Sequence, residues 1–289
     1  MKKSFLKQLF YSCYKILGPN LSTQLALSPL GVFFFKIITG NKNWQIYEGF
    51  KGIKLKLSAE EALKSGFFIL GTMNPYETNI LNKVLKSGDI MIDVGAYVDG
   101  WHSLVSSKIV GKKGHVYCFE PYPIFFKQLK ENVHLNKLDN IITLENLAVS
   151  DKCGRRQFFE AGLASSFYKT VDHKNNQIEV NTITLDYYIK RNRIKKIKLI
   201  KIDVEGAEME VIRGAIHSLT GVNSPDLMVE VIDHQLQSAG SNKCQLIKFL
   251  QKIGYNAYDF SQNGLLKFDP EKNKQTTLNL YFSKKPIKT

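Results

Sequence analysis

Residues 89–96 read Asp89-Ile90-Met91-Ile92-Asp93-Val94-Gly95-Ala96, and they predict how the rest of the chain is organised. An apolar run ends in an acid, and a loop that contains Gly95 and Gly100 follows before a helical pattern begins at Trp101. This order is typical of a buried strand that delivers a ligand-binding turn at the carboxyl edge of a parallel sheet. We expect Gly95 to let the backbone approach a ligand where a Cβ atom would collide.

Two more apolar runs end in acids. Glu120 follows the run at residues 115–119, and Asp203 ends the run at residues 199–202. Because the carboxyl ends of parallel strands meet at one edge of a sheet, we expect these carboxylates to lie near Asp93.

Strand and helix patterns alternate from residue 90 onward, which predicts an α/β fold with a parallel sheet and right-handed crossovers. The predicted strands lie at residues 90–93, 115–119, 141–144, 198–203 and 227–231, and two last strands at 255–260 and 278–282 are predicted to return antiparallel.

We expect two parts in the chain, a basic amphipathic helical extension over residues 1–44 and one α/β domain over residues 45–289. Residues 3–17 place apolar side chains on one helical face among lysines, so this helix is a candidate for peripheral contact with an anionic membrane or for packing on its own domain. Residues 152–181 predict a β-hairpin insertion that covers a substrate. The apolar stretch at residues 25–38 is interrupted and too short to span a bilayer.

The composition is that of a globular protein with a strong basic excess. The formal net charge is +14, from 40 basic and 26 acidic residues. This favours an anionic partner, although a well-solvated lysine-rich surface is an equally good interpretation. The four cysteines are scattered, which argues against a disulfide framework or a structural zinc site and predicts a cytoplasmic protein.

The loop at residues 95–100, which follows the predicted strand at residues 90–93, is unsuited to a dinucleotide. A dinucleotide fingerprint needs G-x-G-x-x-G, but Tyr97 stands at the middle glycine position, and Asp93 and Asp99 add negative charge where a pyrophosphate would bind. A cationic or zwitterionic nucleoside suits carboxylates better. S-adenosylmethionine is such a ligand, because it lacks phosphate and carries a sulfonium.

Five ordered motifs carry a resemblance to a known family: Asp93-Val94-Gly95-Ala96, Phe119-Glu120-Pro121, residues 146–151 (Asn-Leu-Ala-Val-Ser-Asp), Thr184-Leu185-Asp186 and residues 201–208 (Lys-Ile-Asp-Val-Glu-Gly-Ala-Glu). Together they resemble the FkbM-type S-adenosylmethionine-dependent methyltransferases over roughly residues 76–231. The last motif is the most distinctive.

The resemblance implies a class I methyltransferase (Rossmann-like) fold, with a seven-stranded, mostly parallel sheet, an antiparallel last strand and helices on both faces. It implies methyl transfer from S-adenosylmethionine to a hydroxyl of a sugar, glycan or related metabolite. It further implies that Asp93, Gly95 and Ala96 line the methionine end of the cofactor, that Glu120 holds the ribose, and that Asn146 and Ala148 lie near the adenine.

One departure from the family pattern concerns Gly100. The family usually has its second glycine four residues after the first, but here Asp99 stands at that position and Gly100 follows it. We therefore expect a loop that is one residue longer, with Gly100 still near the cofactor.

Asp203 is the leading candidate for a catalytic base, because its strand end should face the transferred methyl group. Glu205 is a second candidate, and the two are the candidate ligands if the enzyme uses Mg²⁺. Glu208 is predicted to cap a helix start. Glu230 and His234 are weaker candidates for base or substrate contact, and His102 is predicted to pack or cap rather than catalyse.

Two other functions stay open. An RNA methyltransferase is motivated by the net charge and by seven basic residues between positions 190 and 201, but no stacking-aromatic RNA module is evident, which makes nucleic acid a weaker partner. A non-catalytic binding protein that retains only the fold is motivated by the altered loop from Gly95 to Gly100.

Overall fold

A computed structural model describes residues 44–58, 62, 65, 67–159, 166–168, 177–261, 264–270, 273 and 275–287. The predicted N-terminal helix at residues 3–17, and with it the expected membrane contact, lies outside the described residues. Within the described part of the chain, no helix has the length and apolar character that crossing a membrane requires.

The centre of the protein is one eight-stranded sheet in the order β12-β11-β13-β10-β9-β3-β4-β5. Strands β10, β9, β3, β4 and β5 run parallel, and β13 pairs antiparallel with both β10 and β11. The strands of this sheet are β3 (Ile90–Val94), β4 (His115–Phe119), β5 (Ile142–Glu145), β9 (Ile197–Ile202), β10 (Asp226–Ile232), β11 (Asn256–Ser261), β12 (Gly264–Lys267) and β13 (Thr277–Ser283).

The sequence predicted seven strands, and the structure has an eighth, β12, at the edge of this sheet. It pairs antiparallel with β11, from Ser261 opposite Gly264 to Tyr258 opposite Lys267. The turn-rich segment between the last two predicted strands therefore returns as a hairpin strand and is not only a connection. The remaining strands have the predicted order, with an antiparallel last strand between β10 and β11.

Helices cover both faces of the sheet because the side chains of its strands alternate between two apolar clusters. In β3, Ile92 and Val94 pack in one cluster and Met91 packs in the other. The helices are α1 (Phe67–Leu70), α2 (Pro75–Val84), α3 (Trp101–Val110), α4 (Pro123–Leu135), α5 (Leu185–Arg191), α6 (Glu208–Arg213), α7 (Ile216–Thr220), α8 (Asp233–Ser238) and α9 (Lys243–Lys252). Helices α2, α3 and α4 pack on the Met91 side, and α5 to α9 pack on the other side.

Two small sheets flank the central one. Strands β1 (Gln45–Glu48) and β2 (Lys54–Leu57) form an antiparallel pair. Strand β8 (Gln177–Ile183) lies between β6 (Ala148–Val149) and β7 (Gly154–Phe159), and it pairs antiparallel with β7. The β7–β8 pair occupies the segment predicted as a hairpin insertion, and Phe158 of β7 reaches the cleft described below.

Candidate active site

A cleft of about 300 Å³ opens at the carboxyl edge of the parallel strands. Its wall contains five of the residues predicted from the sequence to act in the site, Gly95, Ala96, Glu120, Asp203 and Glu205. It also contains side chains that the sequence left weak or unassigned, among them Asp99, His102, Lys201 and Glu230. The predicted strand ends therefore meet at one place, as the parallel topology requires.

The loop after β3 is fixed by contacts within the protein. The amides of Gly95 and Ala96 both donate to the carbonyl of Phe119 at 3.0 Å. Gly95 has φ +84°, and a Cβ atom there would lie 1.7 Å from the carbonyl oxygen of Asp203. The expected reason for this glycine was the approach of a ligand, but the atom that excludes a side chain belongs to the neighbouring strand end.

Asp93 lies below the cleft and not at its wall. The side chain is fully buried, and its Oδ2 accepts a hydrogen bond from Ser103 Oγ at 2.7 Å. Its Oδ1 makes no hydrogen bond and lies 3.8 Å from Lys201 Nζ. The predicted contact of Asp93 with the methionine end of a cofactor stays a prediction, and its visible role is to hold α3 and Lys201.

Asp99 and Gly100 form the start of α3. Asp99 Oδ1 accepts a hydrogen bond from the amide of Trp101 at 2.7 Å. Burial raises the pKa of Asp99 to about 6, although this amide together with His102 and Lys201 lowers it. Gly100 is packed against Leu129 of α4, whose Cδ1 atom would lie 2.3 Å from a Cβ, so close helix packing is one reason for glycine there.

Glu120 is the acid at the end of β4, and its carboxylate faces the cleft although the residue is largely buried. One oxygen accepts from the amide of Tyr97 at 3.0 Å and the other from the amide of Tyr122 at 2.8 Å. Burial raises the pKa of Glu120 to about 7, while the two amides favour the ionised form. Each oxygen keeps a second acceptor site for a ligand hydroxyl.

Asn146 and Ala148 support the same end of the sheet. Asn146 Nδ2 donates to the carbonyl of Glu120 at 2.8 Å and to that of Pro121 at 3.0 Å, so it fixes the chain after β4. Ala148 is buried and lines a small apolar cavity that shares Gly95, Pro121 and Phe158 with the main cleft. Their predicted place near an adenine stays a prediction.

Lys201 belongs to the basic run at residues 190–201 and lines the cleft. It is only 5% exposed, because it lies inside β9. Its Nζ lies 2.9 Å from Asp203 Oδ2 and 3.4 Å from the carbonyl oxygen of Gly95. Burial alone would lower the pKa of Lys201, but the charges of Asp203 and Asp93 raise it, so the ammonium is permanent.

Three carboxyl groups meet above Lys201. Oxygen atoms of Asp203, Glu205 and Glu230 all lie within 4.8 Å of one another, close enough to hold a metal ion. Asp203 and Glu230 share a hydrogen bond. Burial opposes ionisation of Asp203, but Lys201 lowers its pKa, whereas burial and the charge of Asp203 raise the pKa of Glu230. Within this pair, the negative charge is therefore favoured on Asp203 and the proton on Glu230.

Glu205 and Glu208 have different partners. Glu205 has φ +54°, its carboxylate accepts a hydrogen bond from Gln235 Nε2, and burial raises its pKa to about 7. Glu208 lies in the first turn of α6, but its carboxylate accepts from the amides of Val204 at 3.2 Å and Gly206 at 3.1 Å in the preceding loop and does not cap the helix. His234 is exposed in α8 and does not line the cleft.

His102 lines the cleft and forms an ion pair that no local sequence pattern indicates. Its Nε2 contacts a carboxylate oxygen of Glu77, which is 3% exposed in α2. The predicted helix start is present as well, because Asn74 accepts from the amide of Glu77. Asn74 therefore caps α2, whereas the side chain of Glu77 orients His102, a contact that only the packing of α2 on α3 shows.

Comparisons with known proteins identify the family of this chain. Residues 93–257, more than half of the chain, match the family described as methyltransferase FkbM domain. The chain is 27% identical to hexuronic acid methyltransferase AglP of Haloferax volcanii over 144 residues, 50% of this chain and 57% of that protein. It is 31% identical to the 2-O-methyltransferase NoeI of Sinorhizobium fredii over 125 residues, 37% of this chain and 50% of that protein.

The chain thus spans about half the length of these two relatives. Among solved structures, it is similar to a methyltransferase FkbM from Methylobacillus flagellatus, with 19% identity, a TM-score of 0.48 and coverage of 77% of this chain and 54% of the other. The family match includes Asp93, Glu120, Asp203 and Glu230, the residues that build and support the cleft. The chain belongs to the FkbM methyltransferase family.

Proposed function

We propose that the protein is an S-adenosylmethionine-dependent O-methyltransferase that methylates a hydroxyl group of a sugar or glycan. The observation that carries this proposal is the charge of the cleft wall. Among the described residues that line it, Asp99, Glu120, Asp203, Glu205 and Glu230 are carboxylic, and only Lys201 and His102 are basic. Such a wall repels a pyrophosphate and suits a sulfonium and the hydroxyls of a ribose.

The residues present fit this cofactor. When bound, S-adenosylmethionine supplies a methyl group made electrophilic by the sulfonium. Glu120 is placed at the end of β4, where an acid accepts ribose hydroxyls in related nucleotide-binding folds. Its two backbone donors hold the carboxylate in place, and Asn146 holds the backbone that carries it.

Asp203 is the proposed base. A sugar hydroxyl is a weak nucleophile, so a carboxylate within hydrogen-bond reach of it aids methyl transfer by accepting its proton. Lys201 lowers the pKa of Asp203, and the charge of Asp203 raises the pKa of Glu230, so the ionised carboxylate is favoured on Asp203. Glu205 lies beside them, and its proposed role is to hydrogen-bond the acceptor.

An alternative is activation by Mg²⁺ on Asp203, Glu205 and Glu230. Their oxygen atoms are the donor type that Mg²⁺ prefers, and their separation suits it. However, the ammonium of Lys201 already binds Asp203, and the side-chain amide of Gln235 already donates to Glu205. Two of the three carboxyl groups therefore have partners within the protein. These contacts favour Asp203 acting as a base over Mg²⁺ binding to the three carboxyl groups.

The acceptor class rests on the relatives. One relative is named for methylation of a hexuronic acid, which is a sugar acid. The other is named for methylation at a 2-oxygen. Because the chain matches only about half of each relative, we keep the proposal at the level of a sugar hydroxyl and do not carry over a particular sugar.

The test is transfer of a deuterated methyl group from S-adenosylmethionine to a panel of neutral sugars, amino sugars, uronic acids and short glycans, read by mass spectrometry. We expect a mass gain on a sugar oxygen, and a loss of kcat of roughly 100-fold or more in Asp203→Asn. Asp139→Asn, which changes a half-exposed aspartate, is the control. Transfer to RNA, or no transfer although S-adenosylmethionine binds, would contradict the sugar assignment.

A further inference from the structure

We propose that His102 and Asp99 form the subsite for the amino-acid end of the cofactor, with His102 binding the α-carboxylate and Asp99 binding the α-ammonium. This inference rests on the proposed function, because it assumes that the cleft takes an S-adenosyl amino acid. It adds two residues that the sequence did not assign to binding.

The methionine part of S-adenosylmethionine carries a carboxylate, which an acidic cleft would repel unless a basic group faces it. Of the described residues in the wall, only Lys201 and His102 have basic side chains. A basic side chain that meets the carboxylate is therefore one of these two.

Lys201 is already committed to the protein. An ammonium has three donors, and Lys201 Nζ has three oxygen atoms around it, Asp203 Oδ2 at 2.9 Å, Gly95 O at 3.4 Å and Asp93 Oδ1 at 3.8 Å. Two of these are carboxylates, and they neutralise its charge. A ligand carboxylate would have to compete with them for Lys201.

His102 is the other basic side chain of the cleft wall, and one of its ring nitrogens is available to a ligand. Its Nε2 contacts Glu77, whose other carboxylate oxygen accepts from Asn74 Nδ2 at 2.6 Å, so the ring is oriented from below. Within the described part of the chain, Nδ1 makes no hydrogen bond, and the residue lines the cleft. In the imidazolium form both ring nitrogens donate, so Nδ1 can bind a carboxylate while Nε2 stays on Glu77.

Asp99 is the opposite charge beside it. Its Oδ1 caps the amide of Trp101, one residue before His102, and its other oxygen is left for a ligand. The charge of His102 lowers the pKa of Asp99, so the two side chains are close enough to interact. A negative and a positive group side by side complement a zwitterionic amino acid.

Three ligands separate the two contacts in calorimetric titrations. S-adenosylhomocysteine has both charged groups, its decarboxylated analogue 5′-(3-aminopropylthio)adenosine has only the ammonium, and 5′-methylthioadenosine has neither. In His102→Gln we expect binding of S-adenosylhomocysteine to weaken roughly 10-fold to 100-fold, with the other two ligands unchanged. In Asp99→Asn, which keeps the capping oxygen, both ammonium ligands should weaken by about 10-fold and 5′-methylthioadenosine should not.

Lys108→Gln is the matched control, because Lys108 is exposed in the same helix and away from the cleft. Thermal unfolding of each variant confirms that it is folded. Glu77→Gln leaves the imidazole of His102 in place, so it should weaken binding of S-adenosylhomocysteine selectively, and by less than His102→Gln does. Equal weakening of all three ligands in His102→Gln, or no change in any of them, would overturn the assignment. If the wild type binds none of the three ligands, the proposed function fails and this inference fails with it.

Discussion

The backbone at Gly95 and the carbonyl oxygen of Asp203 are in direct contact, with room for no side chain between them: a Cβ atom on Gly95 would lie 1.7 Å from that oxygen. The amide of Asp203 also donates to the carbonyl of Val94 at 3.0 Å. The loop after β3 and the end of β9 are thus one rigid unit. The proposed base and the proposed cofactor loop keep a fixed distance because of this contact.

Gly95→Ala should therefore destabilise the fold and not only weaken ligand binding. We expect a loss of about 3 kcal/mol or more in the free energy of unfolding, because the change combines a clash with positive φ. Gly240→Ala is the control, since Gly240 has φ +76° with nothing within 4 Å of its Cβ position. It should cost only about 1 kcal/mol. Equal losses in urea unfolding of the two variants would contradict the contact.

Lys201 should matter far more for stability than the other lysine of β9 that forms an ion pair. Lys201→Met leaves Asp93 and Asp203 without their buried counter-charge, and we expect it to cost about 3–5 kcal/mol. Lys198→Met removes a half-exposed ion pair with Asp226, and it should cost about 0–1 kcal/mol. Chemical denaturation of both variants gives the comparison. A Lys201→Met protein as stable as Lys198→Met would show that the buried pair has little effect.

Glu208 gives the unfolding free energy a pH dependence. Burial raises its pKa in the folded protein from 4.5 to about 7. The folded state therefore holds a proton that the unfolded chain releases, so stability is highest below pH 4.5 and falls as the pH rises towards 7. The loss from this one group is on the order of 3 kcal/mol.

The side-chain amide introduced by Glu208→Gln does not titrate, so this variant lacks this pH dependence. Between pH 5 and 8 the wild type should therefore lose more unfolding free energy than the variant does. The measurement is urea unfolding at several pH values. Parallel stability curves for the two proteins would show that Glu208 does not titrate in this range.

Mg²⁺ offers a separate test of the carboxyl cluster. Because Lys201 already neutralises Asp203, we expect the midpoint of thermal unfolding to be the same in magnesium chloride as in EDTA. A rise with Mg²⁺ that disappears in Asp203→Asn would contradict this expectation and would identify Asp203 as a metal ligand.

The sequence predicted the strand ends well, because each apolar run and the acid that follows it are local patterns. Glu120 and Asp203 reach the cleft for this reason. It could not predict contacts between distant segments. The ion pair of His102 with Glu77 joins residues 25 positions apart on two helices, and the burial of Lys201 depends on strands packed on both sides of β9.

The loop after β3 shows the same limit. Its glycine was correctly singled out, but the atom that requires it comes from Asp203, more than one hundred residues away in the chain. The predicted contact of Asp93 with the methionine end of a cofactor stays a prediction, and its hydrogen bond from Ser103 of α3 joins segments that no local pattern connects. The eighth strand was missed because β12 is short and lies beyond a turn.

The most direct test of the whole account is calorimetric titration of S-adenosylmethionine into the wild type and into Glu120→Ala, with NADH as the control ligand. We predict saturable binding to the wild type, strong weakening in Glu120→Ala because the proposed ribose contact is lost, and no binding of NADH because the loop repels a pyrophosphate. Absence of S-adenosylmethionine binding by the wild type, or binding of NADH in its place, would contradict the assignment of this cleft.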